Sequence, residues 1–152
     1  MFDFVHLHPI FVHFPVALLI AGLVFELAAL ITKNEFYKKA GLYLFIAGAV
    51  TLVAAYFTGD FASEKLGGDE GPFHQIIEVH ENAAGWTLWL VIGATVLRFL
   101  AMKIKKQEKM LQYAFLAIYL LAVASMVKTG YTGGQLVYKS AIGVQSPAAT
   151  NK

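Results

Sequence analysis

Residues 6–15 read HLHPIFVHFP and set three histidines, His6, His8 and His13, around two prolines. Imidazole both ligates transition metals and carries protons near neutral pH. Pro9 suits the first turn of a helix, which places His8 just ahead of that helix and His13 about one turn inside it. Pro15 then loosens the first turns by freeing a carbonyl. Two more histidines, His74 and His80, bracket HQIIEVH ahead of another long apolar run. Within apolar surroundings an imidazole is costly to desolvate unless something occupies its nitrogens, and a metal does this well. A hydrogen bond at the membrane boundary is the plainer use, above all for His6 or His74 taken alone.

The sequence narrows the metal. There is no cysteine, so iron–sulfur clusters, disulfides and covalently attached c-type haem are excluded. HENAA at 80–84 lacks the second histidine of a zinc-protease helix,. Met1, Met102, Met110 and Met126 stand apart from the histidines, which removes a His–Met copper site,. Two histidines from facing helices in an apolar bundle suit the axial ligation of haem b. His13 and His80 are the preferred pair for the haem iron; His8 can replace His13, and His74 is the reserve. Gly41, Gly48, Gly85 and Gly93 would let a macrocycle edge approach, or simply serve helix packing. Trp86 and Trp89 would line the pocket or anchor the interface.

The elements that must position these residues follow from composition. Hydrophobic residues make up 58% of the 152-residue chain and charged residues 14%, against about 25% charged in soluble proteins. Mean hydropathy is +0.61, which argues against a soluble enzyme. Twelve basic and ten acidic residues give a net charge of +2, too balanced for a nucleic-acid binder. Four apolar stretches, at about 9–31, 40–58, 83–102 and 110–127, each reach the ~20 residues that a helix needs to cross a bilayer. None alternates polar with apolar residues, so a barrel is excluded and helices remain. Residues 32–39 and 103–109 are short basic links, while 59–82 is long and acidic with a short interfacial helix after Pro72. The expected fold is an all-α, integral membrane, up-down-up-down four-helix bundle forming a single transmembrane domain over 1–152. No internal repeat is visible, and the tail from about 145 to 152 reads as flexible.

Seven lysines in or beside the two short links put those links in the cytoplasm and both termini outside,. The five histidines then share the outer face. Glu26 and Arg98 fall deeper, on the first and third spans, where an ionisable group faces a partner or a cavity. A structural ion pair is the first reading, with Arg98 snorkelling to the interface or a quinone or proton site as the others. No phosphate-binding glycine loop or nucleophile–base arrangement is visible, so a redox subunit fits better than an autonomous enzyme.

The opening HPIFVHFP resembles that of a family of small bacterial four-helix membrane proteins of unknown function. TGDF at 58–61, HENAAGW at 80–86 and GYTGGQLVYKSAIGV at 130–144 are similar to three further stretches of that family. The resemblance spans nearly the whole chain and carries over His8, His13 and His80. Some relatives have a histidine where this chain has Ser140, which weakens a four-histidine, two-haem arrangement. Members that look joined to c-type cytochrome modules imply redox partners on the outer face. The resulting expectation is a multi-pass protein of the bacterial inner membrane, in contact with lipid. It would be an electron-transfer subunit with haem b near the extracytoplasmic face, exchanging electrons with quinol, extracytoplasmic cytochromes or a larger respiratory complex. The alternative is a cofactor-free structural or assembly subunit of a membrane complex.

Overall fold

The computed structural model describes residues 4–66 and 71–140, with side chains from His8 onward. Four helices follow in chain order: α1, Phe4–Thr32; α2, Glu35–Lys65; α3, His74–Lys103; and α4, Glu108–Tyr138. A single 3₁₀ turn, Lys105–Gln107, leads into α4. All four helices are long and apolar enough to cross a membrane. At 29 to 31 residues each they exceed the ~20 that the hydrocarbon requires, so their ends stand beyond it.

The helices outrun the apolar stretches from which they were expected. The 59–82 link shrinks because α2 continues to Lys65 and the interfacial segment is continuous with α3 from His74. The glycine-punctuated residues after Gly130 are helical to Tyr138. Glycine disfavours a helix by about 1 kcal/mol in water, but a backbone beside lipid must satisfy its own hydrogen bonds. The tail at 145–152 lies outside the described residues.

Local chemistry explains the tight turn between α1 and α2. Lys33 takes a left-handed conformation at φ 54° and its N–H returns to the Ala29 carbonyl at 2.9 Å, the usual way for a helix to stop. Asn34 then caps α2, its side-chain oxygen accepting from the Phe36 N–H at 2.8 Å,.

Apolar side chains cover the outside of the bundle as well as its centre. Trp86, Trp89, Tyr43 and Val50 are each about two-thirds exposed, as lipid-facing residues are. The centre holds Leu19, Leu23, Phe45, Val91, Phe115 and Tyr119. Phe45 stands edge-on to Phe115 at 5.2 Å and to Tyr119 at 4.8 Å, which ties α2 to α4. The Tyr119 hydroxyl donates to the Leu19 carbonyl at 2.6 Å and ties α4 to α1.

The two hairpins, α1–α2 and α3–α4, place corresponding residues at corresponding heights. On α1 the buried positions Pro15, Leu19, Gly22 and Glu26 match Thr87, Val91, Ala94 and Arg98 on α3. On α2, Gly41, Phe45 and Gly48 match Phe115, Tyr119 and Ala122 on α4. Glu26 follows His8 by 18 residues, and Arg98 follows His80 by the same 18. The bundle is therefore two similar hairpins side by side, a repeat of positions that residue identity conceals.

Candidate functional site

The site is built from the ends of α1 and α3 and the facing turns of α2 and α4. His8 lies at the start of α1, half-buried, and its Nδ1 is 3.2 Å from the Thr58 hydroxyl on α2. Thr58 donates its own hydrogen to the Ala55 carbonyl at 2.9 Å. Its oxygen is left to accept, so His8 carries its proton on Nδ1.

The second hairpin repeats this arrangement. His80 Nδ1 is 3.1 Å from the Thr132 hydroxyl on α4, which donates to the Thr129 carbonyl at 3.0 Å. His80 is thus also the Nδ1–H tautomer. In both rings the threonine contact is made through Nδ1 and not through Nε2. A hydrogen bond at one ring nitrogen that leaves a bare lone pair on the other is how proteins prepare an imidazole to bind a metal.

Glycines make room for both rings. A methyl group at Gly59 would come within 2.9 Å of His8 Cε1, and one at Gly133 within 3.0 Å of His80 Cε1. The rings meet between the hairpins, their centroids 6.4 Å apart and their planes at 77°. Beneath His80, Thr87 contacts Ser125 at 2.8 Å and Thr129 at 3.0 Å, extending the polar lining inward. The first hairpin has Pro15 and Ala55 at the matching places of Thr87 and Thr129, and is drier there.

The structure thus brings His8, rather than His13, against His80. His13 is five residues beyond His8, about 140° further round the helix, and its exposed ring folds back to the Pro9 carbonyl. His74 is on the same helix as His80, one turn before Glu78, with Nε2 3.7 Å from that carboxylate. The side chain of His6 lies outside the described residues. Trp86 and Trp89 face outward, 70% and 68% exposed, away from the histidine pair. Sequence reading missed Thr58, Gly59, Thr132 and Gly133. Their signal is a Thr-Gly step that recurs beside each histidine's partner, 50 and 52 residues after His8 and His80 for the threonines.

At the other end of the bundle Glu26 and Arg98 are almost fully buried and 2.9 Å apart. Gln112 accepts from Arg98 Nη1 and donates to Glu26 Oε2 at 3.3 Å. The Arg98 guanidinium also lies over the Phe115 ring, 5.1 Å from its centre. The close contact between Glu26 Oε1 and Arg98 is one of charge, since among the described residues that oxygen lacks an aligned hydrogen bond and Arg98 Nε has no hydrogen-bond partner.

Thr58→Val and Thr132→Val should each remove the hydroxyl that faces a ring N–H and cost about 1 kcal/mol of stability,. Imidazole ¹⁵N shifts should show a single Nδ1–H tautomer for His8 and His80 in the native protein. Each threonine variant should show a mixture at its own histidine alone.

A four-helix integral membrane protein with a tautomer-matched histidine pair at one end is the class that fold and site define. The chain belongs to the family described as predicted membrane protein (DUF2231), whose profile matches residues 5–146. No curated protein and no solved structure shows significant similarity to it.

Proposed function

We propose that this protein is a membrane electron-transfer subunit that holds haem b between His8 and His80. The observation that carries the reading is the pair of matched imidazoles, each meeting a threonine hydroxyl through Nδ1, at equivalent places on two hairpins. Their ring centroids lie 6.4 Å apart, close enough for both imidazoles to reach one metal. Among the described residues no group of three or more His, Cys, Asp or Glu side chains converges on a metal position. Bare zinc asks for three or four protein donors, whereas a haem brings its own equatorial four.

When bound, the haem would supply one-electron chemistry. The chain's residues do the rest. His8 and His80 would hold the haem iron, and Thr58 and Thr132 fix which nitrogen is offered. Gly59 and Gly133 set the depth of each ring, while the aromatic layer at Phe45, Phe115 and Tyr119 closes the bundle beneath. A centre near the helix ends is within reach of a redox protein at that membrane surface or of quinol arriving through the lipid. The lysine-rich turns at the opposite end support, by the positive-inside rule, a histidine end outside the cytoplasm.

The test is the absorption spectrum of protein purified from haem-replete cells. Reduced-minus-oxidised bands of a low-spin b-type centre are expected. His8→Ala or His80→Ala should abolish or convert them, and His13→Ala should leave them intact. A folded preparation that stays colourless after haem supplementation overturns the reading in favour of a cofactor-free structural subunit.

A further inference from the structure

At the end remote from the histidines, the α1–α2 and α3–α4 turns enclose a crevice of about 1150 Å³. Glu26 and Gln112 form its floor, and five lysines from the two turns stand round it. Two of these are matched locally: Lys38 lies 3.4 Å from Glu35, and Lys105 lies 3.4 Å from Glu108. Lys33, Lys106 and Lys109 have no carboxylate partner among the described residues. The same crevice has an apolar wall, with Leu30 46% and Met110 61% exposed. Unmatched ammonium groups beside bare aliphatic surface, where spanning helices leave the bilayer, make an amphiphilic site.

We propose that this crevice binds an anionic glycerophospholipid. Its phosphate sits among Lys33, Lys106 and Lys109, and its acyl chains run along Leu30 and Met110. A basic pocket between spanning helices is a recurrent way to hold such a headgroup. The floor does not repel it, because the Glu26 charge is already met by Arg98 at 2.9 Å. A free phosphate would satisfy the ammonium groups but leave the aliphatic wall bare and most of the volume empty. The lipid uses both, and it joins the two hairpins at the end where only short turns connect their helices.

The experiment compares three additives on the full chain in detergent: phosphatidylglycerol, phosphatidylcholine with the same acyl chains, and inorganic phosphate. Thermal unfolding and native mass spectrometry are read on the same samples at fixed ionic strength. Phosphatidylglycerol should raise the midpoint and remain bound, and the other two should do neither. The triple variant Lys33→Gln, Lys106→Gln, Lys109→Gln should weaken retention more than about tenfold. Lys128→Gln with Lys139→Gln, at the histidine end, should retain lipid normally. Retained-lipid counts stay informative even where the triple variant changes stability. Equal retention of phosphatidylcholine, or undiminished retention by the triple variant, overturns the proposal. A shift produced by inorganic phosphate alone would replace the lipid with a free anion and overturn it equally.

Discussion

Glu26→Ala and Arg98→Ala should each destabilise the protein in detergent by about 3–5 kcal/mol, and the double substitution by less than the sum. Each single change strands a charge with little exposure of its own, since both side chains are almost fully buried. A stranded Glu26 keeps a hydrogen bond from Gln112 at 3.3 Å, and a stranded Arg98 keeps the Gln112 acceptor and the face of Phe115. Removing both charges takes away the desolvation cost together with the attraction, which is why the second loss is smaller than the first. Gln112→Ala should cost less than either charge deletion, because the 2.9 Å ion pair survives it. Denaturant titration of the four variants closes the cycle. Strictly additive losses would show that the two residues act separately.

The second large effect is expected at a close approach of α1 and α2. A methyl group at Gly48 would lie 2.7 Å from Leu19 Cγ, 2.8 Å from its Cδ2 and 3.2 Å from its backbone nitrogen. Leu19 is 1% exposed and packed within the core, so its side chain has nowhere to turn and the helices must part. Gly48→Ala should therefore lose about 1–3 kcal/mol despite its better helix propensity. Gly85→Ala is the counterpart, because nothing lies within 4 Å of the added methyl group. It should be neutral or gain up to about 1 kcal/mol. Thermal unfolding of both variants in one detergent decides this, and equal losses would refute the close-approach account.

The number of helices and their order were legible in the sequence because lipid imposes one strong rule, that about 20 apolar residues make a span. Helix ends were not legible. Polar residues such as Asp60 and Glu64 in α2, or Gln135 in α4, lie beyond the hydrocarbon yet continue the helix. Composition marks where the lipid stops rather than where the backbone turns. The histidines were legible as residues but not as a pair. His8 and His13 both sit near the start of α1, and only their angle round the helix separates the one that meets His80 from the one that faces outward. The threonines gave no signal by themselves, since a lone Thr on a helix commonly bonds its own preceding turn. Thr58 and Thr132 do that as well, at 2.9 Å and 3.0 Å, and that inner bond is what fixes the imidazole proton.

The matched heights of Glu26 and Arg98 have a consequence for how the halves recognise each other. Two copies of the first hairpin brought together in this geometry would set carboxylate against carboxylate. Two copies of the second would set guanidinium against guanidinium, again where little water can screen them. Only unlike hairpins satisfy the position. The chain is in effect two unlike halves on one tether, with Glu26 and Arg98 as the charges that tell the halves apart and the loop between α2 and α3 as the tether.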